Sequence, residues 1–452
     1  MIVKPENLIY GVDDTPPFAI SFLLGLQHVF TMFSTLVLPV IIAREIGVNF
    51  AVLQSFVCFS MIAAGTGTII QGIKRGIIGS GYLCPNLCGP SYMSISLQAA
   101  WLGGLPLMHG MTMLAGVFEC ILSRVIHKLK KLFPIEISGL VVLMVAILLI
   151  PLGSSKFVGI EYAGDAINTK KLLIASITLF TMIGLNIWSK SKLKLYCVLI
   201  GMCLGYILSY LFGVLSVSDL NTLADASWFA LPGKGVEHFK FAIDWTLVFP
   251  FLIVSLCASL KTFGNLTTCQ KINNKNWKET DMKNIGNGLF ADGISVTLGG
   301  LLGGMAVDTS ASNVGLSVAT SATSRRIAYY AGGIFICLAF MPKFTTIFSI
   351  MPGPVMGAIV IFVTCFMVIS GIQILVSSKM NVRKTFIIGI SFVFGLSAII
   401  LPDLYSNVPS WLSPVFASSL TLSTVLAIFL NQLFNIGAPK ESELTKTSNV
   451  QK

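Results

Sequence analysis

The sequence predicts an all-α polytopic membrane protein of fourteen transmembrane spans in two inverted repeats of seven, with short extended segments in spans 3 and 10. Three observations carry this. Of 452 residues, 54% are hydrophobic and 11% charged, against about 25% charged in a soluble domain. A globule of this size would lack the polar surface to cover itself. The basic residues alternate: 22 of the 30 Lys and Arg fall in every second gap between apolar segments, as the excess of Lys and Arg in cytoplasmic loops requires. Finally, two interrupted segments recur seven spans apart, and because seven is odd the two halves insert with opposite orientation.

The spans are expected near 17–43, 50–72, 82–103, 105–123, 133–152, 171–188, 195–214, 245–265, 286–303, 305–323, 327–342, 347–377, 385–401 and 411–434. Each is an apolar run near the length of about 20 residues that crosses a bilayer as a helix. The first exceeds a signal-peptide apolar core of about 7–15 residues, so no cleavable leader is expected. The basic gaps begin with Lys4, Lys74 and Arg75 and end with Lys440, Lys446 and Lys452. The opposite gaps hold only Arg44, Lys156, Lys170, Lys171, Lys234, Lys240 and Lys343. A miscount by one span would scramble this alternation, so both termini are expected in the cytoplasm. The net charge of +11 lies in short clusters between spans, which excludes a nucleic-acid footprint. The ten cysteines have neither zinc nor disulfide spacing and read as small buried hydrophobes.

The third span runs through Gly79-Ser80-Gly81-Tyr82-Leu83-Cys84-Pro85-Asn86-Leu87-Cys88-Gly89-Pro90-Ser91-Tyr92, and the tenth through Gly303-Gly304-Met305-Ala306-Val307-Asp308-Thr309-Ser310-Ala311-Ser312-Asn313-Val314-Gly315. Both are too rich in Gly, Pro and small polar residues for an unbroken helix, and each reads as an extended segment feeding a half-helix. A second echo has the same spacing. Phe133-Pro134 precedes Gly139 in the fifth span, and Met351-Pro352 precedes Gly357 in the twelfth. Paired interrupted spans in inverted halves point to a secondary transporter with its site near mid-membrane.

Gln27-His28 sits inside the first span, where a His either packs with its polar atoms satisfied or serves a site. Lys261 is the one Lys or Arg inside an apolar span, where a charge costs about 3 kcal/mol or more at the bilayer centre. It either snorkels to the interface or faces a cavity, and its distance from the next Lys, Lys271, weighs against snorkelling. Facing a cavity, it would shed its proton or pair with an acid. Two acids are candidates, Asp292 in the ninth span and Asp308 in the broken tenth, each of which has a local alternative as a helix cap or turn residue. Asn313 is placed to cap the tenth-span half-helix, whose free amides suit an anionic or carbonyl-bearing ligand. Ser91 and Tyr92 hold the matching place in the third span, where the Tyr92 ring either stacks on a flat ligand or packs in the core.

At these residues the chain resembles the nucleobase–ascorbate transporters, or nucleobase–cation symporter-2 family, of the xanthine/uracil permease type, over nearly its whole length. Tyr10-Gly11-Val12-Asp13-Asp14 with Pro16-Pro17 is similar to the family's opening segment, and Gln27-His28 to its first-span pair. Ser312-Asn313-Val314-Gly315 through Thr320 matches the signature (Gln, Glu or Pro)-Asn-x-Gly-x4-Thr apart from its first residue. Ser324-Arg325 and Met351-Pro352-Gly353-Pro354-Val355-Met356-Gly357 also match. The resemblance implies a core domain of spans 1–4 (17–130) and 8–11 (245–342), and a gate domain of spans 5–7 (131–216) and 12–14 (343–434). It leaves a cytoplasmic N-terminus (1–16), an extracytoplasmic loop (217–244) and a cytoplasmic tail (435–452). It further implies a homodimer packed through the gate, a purine or pyrimidine base bound between spans 3, 8 and 10, H+ as the coupling ion and no cofactor. On that pattern Ser91, Tyr92, Lys261, Ser312 and Asn313 bind substrate, while Gln27, His28, Asn265, Asp292 and Asp308 organise the site or couple the ion. Two positions depart from the family. Its usual eighth-span Glu is Lys261 and its usual tenth-span Gln or Glu is Ser312, which reverses the charge at the site.

The expected function is therefore proton-coupled symport of a nucleobase, a purine such as xanthine or urate, whose negative charge a Lys and a half-helix N-terminus would favour. The alternative is an anion transporter of sulfate-permease-like architecture, favoured by Lys261. A channel fits poorly, because the broken spans lie in one chain with inverted halves rather than around a symmetric pore. An enzyme fits worse, with no phosphate loop, metal cluster or nucleophile elbow in the sequence. The location expected is a bacterial inner membrane.

Overall fold

In lipid a backbone must satisfy its own polar groups, and a long apolar run does so as a helix. The computed structural model describes residues 4–6, 8–129, 134–160, 166–189, 197–232, 240–376, 380–405, 407–409, 413–416 and 419–436. The helices are α1 (Phe18–Phe33), α2 (Val37–Glu45), α3 (Phe50–Gly72), α4 (Met93–Leu129), α5 (Ile135–Val158), α6 (Thr169–Trp188), α7 (Cys197–Leu211) and α8 (Val217–Asp225). They continue with α9 (Trp245–Asn273), α10 (Met282–Leu301), α11 (Ala311–Ala319), α12 (Arg325–Ala339), α13 (Pro342–Ser349), α14 (Gly353–Val376), α15 (Val382–Ile400) and α16 (Ser419–Leu433). Asn49, Asn168, Asp244, Asp281 and Asn381 cap α3, α6, α9, α10 and α15, each side chain accepting a first-turn amide. Such caps satisfy donors that the helix itself cannot.

Among the described residues, eight helices are long and apolar enough to cross a membrane, or nine if α12 and α13, bent by 83°, make one span. That is fewer than the fourteen expected, for identifiable reasons. α4 holds two expected spans and breaks only at Gly103 and Gly104, where the backbone leaves helical angles. The tenth span has just nine helical residues, in α11. α7 and α16 are apolar but short. The loop expected at 217–244 also holds α8, opened by a Ser216–Asp219 capping box. Phe133, Lys130, Lys131, Lys190, Lys192, Lys194, Lys234, Lys379 and the tail from residue 437, with Lys440, Lys446 and Lys452, lie outside the described residues.

The interrupted spans are strands. β1 (Asn86–Cys88) pairs antiparallel with β2 (Val307–Thr309), Leu87 opposite Asp308. Gly89 N–H donates to the Ala306 carbonyl at 2.8 Å and Ser310 N–H to the Pro85 carbonyl at 2.9 Å. A two-stranded ribbon inside a protein needs its outer edges covered. Hydroxyls of α3 do this: Asn86 N–H donates to Thr68 Oγ1 and Met305 N–H to Ser60 Oγ.

Glycines set the helix crossings. A Cβ on Gly139, early in α5, would meet Leu375 N at 2.8 Å, late in α14; one on Gly357, early in α14, would meet Phe157 N at 2.4 Å, late in α5. The two glycines of the sequence echo are thus reciprocal contacts of one antiparallel pair. Gly65 and Gly332 play the same part between α3 and α12, and Gly116 and Gly293 between α4 and α10. Small residues let backbones approach where lipid offers helices no hydrophobic drive to associate.

Candidate functional site

The ribbon brings β1, β2, α9, α10 and the start of α11 together around buried polar groups. Lys261 Nζ lies 2.7 Å from Asp308 Oδ2, with the Lys side chain 10% exposed and the Asp fully buried. Lys261 therefore does not snorkel. Nζ also donates to Ser91 Oγ at 3.5 Å. A Gly at position 89 matters here, since a Cβ there would come within 3.2 Å of the Asp308 carboxyl carbon. Asp308 Oδ1 has no hydrogen-bond partner among the described residues.

Asp292 is not a helix cap. It lies mid-way along α10, buried, and accepts from Asn86 Nδ2 at 2.7 Å and Thr262 Oγ1 at 2.5 Å. Since the Thr262 proton goes to the carboxylate, Thr309 Oγ1 at 2.7 Å is the donor to Thr262. Asn265 Nδ2 in turn donates to Thr309 Oγ1 at 2.9 Å. The directional chain Asn265 to Thr309 to Thr262 to Asp292 ties α9, β2 and α10 into one unit, and Asn86 adds β1. Asp292 is thereby separated in role from Asp308: it is held by neutral donors, and Asp308 by the Lys.

At the start of α11 the capping assignment changes. Ser310, not Asn313, is the cap, accepting the Asn313 amide at 3.1 Å. Position 313 is the third helical residue, so its amide is a donor in need of a cap, and its side chain is free for tertiary work. Asn313 Nδ2 donates to Ser310 Oγ, and Asn313 Oδ1 lies 2.8 Å from His28 Nδ1. An amide oxygen only accepts, so His28 carries its proton on Nδ1. Gln27 is half-buried, and its Oε1 has no partner among the described residues. Ser312 is exposed and touches Ser310 Oγ at 2.9 Å. Ser312, Gly315 and Val318 form one exposed face of α11. Tyr92 is fully buried, with no hydrogen-bond partner for its hydroxyl among the described residues.

The sequence reading missed Asn86, Thr262, Thr309 and Glu119. The first three are ordinary polar residues that gain a role only through contact. Glu119 was visible by the argument that singled out Lys261, a charge inside an apolar span. It is fully buried on α4 and accepts from Ser259 Oγ at 2.8 Å. Among the described residues, no three His, Cys, Asp or Glu side chains gather as a metal site. The arrangement offers a planar ligand one cation, hydroxyls and first-turn amides, of which Ser310 satisfies only that of Asn313.

Comparison with known proteins shows the family and the fold. A family model, Xan_ur_permease, described as a permease family, matches residues 19–404. A Clostridium perfringens chain named as a purine permease, CPE0397, is 30% identical over 426 residues, 94% of this chain and 92% of the relative. The xanthine permease XanP of Escherichia coli is 26% identical, covering 95% of each chain. The uric acid permease PucJ of Bacillus subtilis is also 26% identical, over 94% of this chain and 95% of the relative. Among solved structures, the transmembrane domain of the cyanobacterial bicarbonate transporter BicA superposes with a TM-score of 0.58 at 13% identity, covering 91% of this chain and 96% of that one. SLC26A9 gives 0.60 at 11%, covering 92% and 65%. At that identity the likeness is one of fold.

Proposed function

This chain belongs to the Xan_ur_permease family of multi-pass membrane permeases, and from that premise we propose that it is a proton-coupled symporter of a purine base such as xanthine or urate. It is a transporter, not an enzyme, and its relatives' names favour a nucleobase as cargo. The observation that carries the finer reading is the Lys261–Asp308 pair, set against the ribbon and the α11 N-terminus. A base that is anionic at neutral pH would draw Lys261 from Asp308, while its carbonyls meet the Ser312 amide and its plane lies against the strands. Tyr92, Ser91 and Asn313 shape that pocket; His28, Gln27 and Asn265 hold its frame.

We read the layout as fourteen spans in two inverted repeats. Moving each span by seven turns the α3–α12 contact (spans 2 and 11) into the α10–α4 contact (spans 9 and 4), and returns the α5–α14 and β1–β2 pairs to themselves. This exchange supports a two-fold axis in the membrane plane. We assign spans 1–4 and 8–11 to a core, spans 5–7 and 12–14 to a gate through which two copies pair, and both termini to the cytoplasm of a bacterial inner membrane.

The second reading, an inorganic or organic anion transporter, is favoured by Lys261 and by the fold shared with BicA and SLC26A9. Radiolabelled xanthine, urate, uracil, sulfate and bicarbonate, offered to cells lacking their own permeases, separate the two. Saturable xanthine or urate uptake that sulfate does not compete is expected. Uptake confined to sulfate or bicarbonate would overturn the purine reading in favour of the second.

A further inference from the structure

Glu119 is a buried carboxyl that the substrate site does not use. One oxygen accepts from Ser259, two residues before Lys261, and Oε2 has no hydrogen-bond partner among the described residues. The groups within electrostatic reach are Tyr92 from the turn after β1, Asp292 from α10, Asp308 from β2, and Cys120 on its own helix. None is a cation. Lys261 pairs with Asp308 in this structure, and the Arg124 guanidinium lies over the Phe290 ring at 4.2 Å. An ionised Glu119 would therefore be an uncompensated buried charge, the costliest state a side chain can occupy in a membrane protein. In this structure Asp308 has its cation and Asp292 two donors, so of the three acids Glu119, with Ser259 alone among the described residues, is the least compensated.

We propose that Glu119 carries the proton that moves with the substrate. It takes a proton up from one face and releases it to the other, and Ser259 links it to the helix that bears Lys261. The substrate then need not touch the proton carrier: α9 joins the two, with Ser259 on Glu119 and Lys261 against the ligand. This rests on the proposed purine symport.

The test is xanthine transport by purified protein in proteoliposomes, measured as exchange against internal xanthine and as accumulation under an imposed pH difference. With one proton per substrate, a one-unit difference concentrates xanthine about tenfold in the wild type. Glu119→Gln should still exchange but accumulate none, with a flat pH profile. A structural role would lower exchange and accumulation together. Accumulation by Glu119→Gln equal to wild type overturns the proposal, as does a wild type that exchanges xanthine without answering the gradient. A wild type that exchanges neither xanthine nor urate fails the purine reading itself. Should Glu119→Gln not fold, Ser259→Ala decides: it keeps the carboxyl but removes its donor, and must shift the pH midpoint of uptake. An unchanged profile refutes the role.

Discussion

Replacing Lys261 by Met leaves Asp308 fully buried without its cation. At 2.7 Å and an effective dielectric of about 20, the lost attraction is about 6 kcal/mol. Desolvation of both ions had offset much of that, so the intact pair adds little net stability, yet removing one partner costs about 3–5 kcal/mol. The second change at the true partner removes the stranded charge. Lys261→Met/Asp308→Asn should recover most of the loss, with a coupling energy of about 2 kcal/mol or more between the sites. Asp292→Asn should not rescue, because Asp292 is held by Asn86 and Thr262 rather than by the Lys. The assay is thermal stability of detergent-solubilised protein by fluorescence-detected size exclusion, with uptake measured in parallel. Rescue by Asp292→Asn, or a Lys261→Met protein as stable and active as wild type, would refute the pairing and with it the role of Lys261.

Asn313→Ala strands the His28 Nδ1–H and should cost about 1–3 kcal/mol. Because Ser310 supplies the cap, uptake should fall more than the yield of folded protein; equal falls would make Asn313 a packing residue. Gly116→Ala sets a Cβ 2.4 Å from Thr297 N and 2.8 Å from Gly293 O. Backbone cannot swing aside, so a loss of about 1–3 kcal/mol is expected, and an unchanged melting curve would refute the crossing. A tag after Lys452 and another between residues 217 and 232 should be protected from protease on opposite sides of the membrane; protection on one side would sink the span count. Outside the spans, Lys4 and the Gly11 amide hold the Asp14 carboxyl below its ordinary value of 3.8. A lowered carboxyl stabilises above that value, and the gain is lost as pH falls through the folded-state value. With both side chains about 40% exposed, the effect is well under 1 kcal/mol and screened by salt. Protection of the amides at residues 8–14, taken relative to their intrinsic exchange rate at each pH, should therefore fall modestly as the pH drops below about 5, and Asp14→Asn should abolish that fall.

The amino-acid order alone determined the class of solvent, the family and the places where helices must break. Hydropathy and the alternation of Lys and Arg are one-dimensional signals set by the bilayer, and Gly, Pro and small polar runs mark where an unbroken helix is impossible. So 79–92 and 303–315 were legible as strands feeding half-helices, and Lys261 as a buried charge in need of a partner, because each breaks a rule that holds locally. The echo of Gly139 in Gly357 was legible as a recurrence, though not as a contact. Only the tertiary structure decided which acid faces Lys261. Asp308 and Asp292 are both buried, and the choice follows from strand register and the reach of neighbouring donors, which no spacing in the chain encodes. The same holds for Ser310 displacing Asn313 as cap, for the hydroxyl chain through Thr309 and Thr262, and for Glu119. Its charge was plain in the sequence, but that no cation among the described residues pairs with it becomes visible only when the helices packed against it are in place.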